Sequence, residues 1–132
     1  MKVIASSIDE FFDNAGEYKE LLMKIDEVIS GVVPDLERAL YSNYSITLLG
    51  YGAGLYKLTK KGKLPIISIA PQKGLVSVYL MAYKNRKSIV SEYEGRLGLV
   101  KYGLGTVGIK RFEDLNLVEF SKMIKETVEW NK

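Results

Sequence analysis

Asp9, Asp13, Glu17 and Glu20 follow one another at spacings of four, four and three residues. On a continuous helix that repeat sets all four carboxylates in one stripe. Carboxylate oxygens are hard donors that suit magnesium, calcium, manganese and iron, and a stripe without a surrounding cage would hold such an ion weakly. The same stripe also describes a solvated acidic face, and Gly16 is placed to break the helix that would carry it.

A second set of residues could recognise rather than react. Eight of the nine tyrosines fall between positions 41 and 102, where most of the basic residues also lie. Rings interleaved with cations offer stacking for bases and charge for phosphates. They equally suit half-buried antiparallel strands, which favour tyrosine. From this set we read a surface of Tyr41, Tyr44, Tyr51, Lys57, Tyr79, Lys84, Arg86 and Lys110. Its ligand would be a small anion, RNA or a protein partner.

What the chain lacks narrows the chemistry further. Its 132 residues include no cysteine and no histidine. That removes disulfides, thiolate nucleophiles, cysteine-held clusters, imidazole bases and Ser–His–Asp triads. Serines stand near lysines, but neither S-x-x-K nor G-x-S-x-G occurs. Gly103-Leu104-Gly105-Thr106-Val107-Gly108 matches G-x-G-x-x-G, yet a strand rather than a helix is expected after it, so no row of helix amides would meet a phosphate. Gly50-Tyr51-Gly52-Ala53-Gly54 lacks the lysine and hydroxyl of a P-loop and reads as a hairpin connection or bulge. No catalytic constellation is visible, and a binding protein is the expectation.

The elements that must position these residues are readable in outline. Ser7-Ile8-Asp9-Glu10 forms a capping box that opens a short helix running to Ala15. Tyr18, Leu21, Leu22, Ile25, Val28 and Ile29 recur at helical spacing, predicting a helix over 17–30 with Gly31 as its left-handed cap. Pro34 suits the first turn of a further helix over 35–41. Strands are expected over 45–49, 55–59, 65–70 and 75–81, with turns at 60–63 and 72–74. The nearly all-apolar 65–70 stretch should be central. Ser88 caps a short helix closed by Gly95, a strand follows over 106–110, and a last helix starts near Asn116 with Leu117, Phe120, Ile124 and Val128 on one stripe. The order predicts one α+β domain over 1–132: N-terminal helices, an antiparallel sheet of about five strands and a C-terminal helix.

The net charge of +3 hides an asymmetry: residues 1–37 carry −6, residues 38–111 carry +11 and residues 112–132 carry −2. Such patterning speaks to association rather than to fold. No apolar run is long enough for a membrane span, and Asp9 and Glu10 interrupt the N-terminal apolar stretch, so a cytoplasmic location is expected.

Pro34-Asp35-Leu36-Glu37-Arg38-Ala39-Leu40-Tyr41, after the strongest helix, resembles the P-D-x-E-x-A-I-x-Y segment of the YdhG-like domain family, most members of which have no assigned activity. Residues 65–70 and 75–79 resemble its central hairpin. Lys101-Tyr102-Gly103-Leu104-Gly105-Thr106-Val107-Gly108-Ile109-Lys110-Arg111-Phe112 resembles its glycine-bearing entry to the last strand. The resemblance runs from Ile8 to Trp130. It departs where the family often carries Gly-Met-Pro and this chain has Asn43-Tyr44-Ser45. It implies helices on an antiparallel sheet, similar to frataxin in outline. It also implies a weak iron(II) carrier that delivers to iron–sulfur or haem assembly proteins. By analogy with frataxin, Asp9, Asp13, Glu17 and Glu20 would be its ligands.

Overall fold

The computed structural model describes residues 2–42, 45–53 and 64–132. Ser7 takes an extended backbone and its Oγ accepts the Glu10 N–H at 3.1 Å, which opens α1 (Ile8–Asp13). Glu10 turns back toward the cap, but its carboxylate accepts from the Ser6 hydroxyl at 2.7 Å. The helix stops at Asp13. Gly16, with φ +62°, redirects the chain through a 3-10 turn, Gly16–Tyr18, into α2 (Lys19–Val32).

Two expectations fail in the next stretch. Gly31 lies inside α2 rather than capping it. The helix ends because Pro34 pushes Val33 out of the helical region, to φ −128° and ψ 65°. The helix expected over 35–41 is absent. Pro34 and Asp35 form a turn in which the Leu36 N–H donates to the Val33 carbonyl, and the chain then extends into β1 (Arg38–Ser42). Its backbone finds ladder partners along β2 (Thr47–Ala53), from Arg38 opposite Tyr51 to Ser42 opposite Thr47. Pairing with the next strand satisfies these groups and overrides the local helical signal.

The Gly50–Gly54 cluster makes no reversal through Ala53: β2 continues across it, with a local irregularity at Gly52, whose φ is +75°. Gly50 is needed for space: a Cβ there would stand 2.7 Å from both the Pro65 ring and the Tyr41 ring. The strand expected over 55–59 and the turn over 60–63 lie outside the described residues. Further along come β3 (Pro65–Gln72), β4 (Leu75–Leu80), a small hairpin of β5 (Tyr83–Lys84) and β6 (Lys87–Ser88), α3 (Val90–Tyr93), β7 (Lys101–Tyr102), β8 (Thr106–Ile109) and α4 (Leu117–Trp130).

The main sheet has six strands in the order β1-β2-β3-β4-β8-β7, all antiparallel, with β3 interior as its sequence predicts. The register lines up Leu49, Ile69, Val78 and Val107 across four strands, and all four are fully buried. Onto the sheet α2 brings Leu22, Ile25 and Ile29, and α4 brings Phe120, Met123 and Ile124. The stripe on α4 is therefore rotated from the expected one: Met123 is buried and Leu117 is 40% exposed. Asn116 caps α4, its side chain accepting the Glu119 N–H. The fold is α+β, as expected; among the described residues the main sheet has six strands where about five were expected, and a separate two-stranded hairpin stands outside it. Among the described residues no helix is long and apolar enough to cross a membrane.

Candidate functional site

The acidic stripe is not assembled. Asp9 and Asp13 belong to α1, Glu17 to the 3-10 turn and Glu20 to α2, because Gly16 ends the continuous helix that would have aligned them. Asp13 is paired with Lys19 at 2.7 Å and Glu20 with Lys24 at 3.2 Å. Among the described residues no three acidic groups stand together as metal donors.

The tyrosine and lysine surface is dispersed as well. Tyr41 and Tyr79 share one sheet face, since Leu48 opposite Tyr41 and Gly50, in line with Tyr79 through Ser68, differ by two positions. Tyr51 points to the other face and is fully buried. Lys84 sits over the Trp130 ring at 4.4 Å. Lys110 lies in a separate depression with Glu17, Lys24 and Phe112. Tyr44 and Lys57 are outside the described residues. What remains is Arg86, and around it a site is built.

Tyr83 pairs with Ser88 and Lys84 with Lys87, which leaves a two-residue loop, Asn85-Arg86. Their φ angles are +51° and +65°, so both central residues are left-handed, as a type I′ hairpin requires. Asparagine tolerates that conformation; for arginine it costs roughly 1–2 kcal/mol, which is why glycine is the usual second residue. Such strain in a non-glycine residue persists where the surroundings hold it and collects at binding sites.

Arg86 and Lys87 border an open cavity of about 620 Å³ between this hairpin and the β7–β8 turn. Ser88 and Ser91 line it, with Tyr102 and Leu104 as apolar wall and Glu94 as its one acid. Ser88 Oγ accepts the Val90 N–H at 3.1 Å, which leaves its hydroxyl proton available to donate. Tyr102 is placed similarly, its hydroxyl accepting the Leu97 N–H at 3.2 Å. Gly105, at φ +73°, closes the β7–β8 turn, and a Cβ there would stand 2.7 Å from the Tyr83 hydroxyl, so glycine lets the two hairpins meet. The G-x-G-x-x-G run therefore serves packing. Two cations against one carboxylate, hydroxyl donors and an apolar wall can receive a small anion with an apolar body. Only Arg86 of these residues stood in the sequence-derived surface. The one local signal was a two-residue Asn-X loop between strand-forming residues.

A second polar group was not legible at all. Asp26, on α2, accepts from the Tyr51 hydroxyl at 2.7 Å, from Arg38 Nη1 at 2.7 Å and from Ser30 Oγ at 3.3 Å. Burial, then the adjacent Asp26 carboxylate, drives the Tyr51 phenol well above its ordinary value. Tyr93 is pushed up to about 12, first by burial and then by Glu126. A phenol that stays protonated in the fold but ionises in the unfolded chain stabilises fully below pH ~10 and loses that contribution as pH rises further. Chemical denaturation between pH 10 and 12 should show stability falling with pH. Tyr51→Phe should flatten the slope by about 1.4 kcal/mol per pH unit. An unchanged slope would mean that Tyr51 ionises freely in the fold.

No family model, curated protein or solved structure matches this chain.

Proposed function

We propose that this chain is a binding protein for a small anion bearing an apolar group, held between the β5–β6 and β7–β8 hairpins. The left-handed backbone of Arg86 carries this reading, because a residue kept at a conformational cost beside an open cavity needs a compensating role. Arginine supplies what glycine cannot, a planar fork of donors matched to phosphate or carboxylate.

Arg86→Gly tests the idea through two opposed effects. Stability should rise by about 1 kcal/mol as the left-handed strain is relieved. Affinity for phenyl phosphate, a probe with both required parts, should fall about tenfold or more with the loss of a charge-assisted contact. Calorimetric titration giving equal affinities for both proteins would overturn the proposal. RNA at this surface would show itself by steep weakening with added salt and by outcompeting the small probe.

The iron(II) carrier role implied by the YdhG-like resemblance, with delivery to iron–sulfur or haem assembly proteins, rests on Asp9, Asp13, Glu17 and Glu20. Anaerobic titration with iron(II) separates it from the anion reading. Saturable binding that disappears when those four become Asn or Gln would establish the carrier.

A further inference from the structure

The geometry points to a second site, independent of the first, that takes a free α-amino acid with an apolar side chain in the cavity between α2 and the start of β1. This cavity, of about 470 Å³, joins both charges such a molecule needs to an apolar wall. Arg38 lines it and is held by one donor, Nη1, on Asp26. Guanidinium has five N–H donors in a fixed fork. Among the described residues no other donor of Arg38 is taken, so a fixed fork faces the cavity with capacity to spare. A ligand carboxylate fits that fork in two-point fashion.

Glu27 also lines the cavity, is exposed, and forms no ion pair among the described residues. It is the counterpart for the ligand ammonium. Asp26 is not, because its carboxylate already accepts three hydrogen bonds and is 13% exposed. Asp26 instead is a positioning residue, and Tyr51 behind it fixes its orientation. Phe12, Leu36 and Met23 give the wall. Met23 is 46% exposed and borders the cavity, and methionine adapts readily to ligand shape. A lone anion would use only Arg38 and a lone amine only Glu27, so the pairing favours a zwitterion.

Calorimetric titration with leucine tests this directly, alongside 4-methylpentanoate, which lacks the amine, and isoamylamine, which lacks the carboxylate. Leucine should bind saturably, and each single-charge counterpart about tenfold or more weakly, since each forfeits one charge-assisted contact. Arg38→Lys keeps a cation for Asp26 but loses the fork, and should weaken leucine about tenfold. Glu27→Gln, at an exposed position that leaves the fold untouched, should weaken leucine similarly while 4-methylpentanoate binds as before. No saturation at millimolar leucine, equal binding of leucine and 4-methylpentanoate, or unchanged affinity in Glu27→Gln would each overturn the assignment.

Discussion

Gly98→Ala should lower the melting temperature by about 10–20 °C, although it adds a single methyl group. Gly98 has φ +92°, and a Cβ there would lie 2.1 Å from the Asp114 carbonyl oxygen and 3.0 Å from the Asn116 nitrogen. Both neighbours are backbone, so no rotamer change relieves the clash. The segment cannot simply move away either. Asn116 N–H donates to the Leu97 carbonyl at 2.8 Å, Leu99 N–H donates to the Asp114 carbonyl at 2.9 Å, and Gly98 bridges Leu115. These bonds tie the loop after α3 to the capped start of α4. A left-handed alanine costs roughly 1–2 kcal/mol, and two displaced backbone hydrogen bonds add about 1 kcal/mol each. The total, on the order of 3–4 kcal/mol, is a large share of the usual 5–15 kcal/mol stability of a domain. Gly31→Ala is the control, since that glycine sits within α2 with open space around its missing Cβ. The same methyl group there should stabilise by about 0.5–1 kcal/mol. A calorimetric scan placing Gly98→Ala within a few degrees of the parent protein would show that the loop is free to shift.

The contrast between those glycines marks what could be read from the chain and what could not. The starts of α1 and α4 were legible, because an N-cap is made by residues three apart: Ser7 with Glu10, Asn116 with Glu119. The alternation of Val76, Val78 and Leu80 was legible for the same reason, as one strand face reads out locally. Termination by Gly31 was a sound local signal overruled one turn later by Pro34. Residues 35–41 carried helical propensity, but β1 forms because β2, whose start falls within the strand expected over 45–49, stands opposite it. Gly50 and Gly52 read as a hairpin connection or bulge; Gly52 does take a positive φ of +75°, while Gly50 is small so that Tyr41 and Pro65 can cross above it.

The candidate sites were legible only as residue types. Arg86 was singled out for its charge, while its left-handed backbone, the property that gives it meaning, follows from the pairing of Lys84 with Lys87. The acidic stripe depended on helical continuity, and one glycine removed it. Asp26, Arg38 and Tyr51 meet from positions 12 and 25 residues apart, and no spacing rule joins a helix to two strands across such distances.

That last group sets the second large effect: Asp26→Ala should cost about 2–3 kcal/mol by urea denaturation. The loss comes less from the missing contacts than from what they leave behind. Tyr51 is fully buried, so its hydroxyl would have neither acceptor nor water. Arg38 would lose its partner, but its side chain is 38% exposed and water can recover much of that cost. The stranded phenol is therefore the dominant penalty, and this orders the variants. Tyr51→Phe alone should cost about 1 kcal/mol, because it deletes donor and need together. Asp26→Ala with Tyr51→Phe should then be less destabilised than the two single losses summed, by about 1 kcal/mol, since the double variant has no phenol to strand. Strict additivity would mean that Tyr51 finds another acceptor when Asp26 is gone. A single-variant loss below about 0.5 kcal/mol, the ordinary range for surface substitutions, would mean that α2 and the edge of the sheet are held by apolar contacts alone.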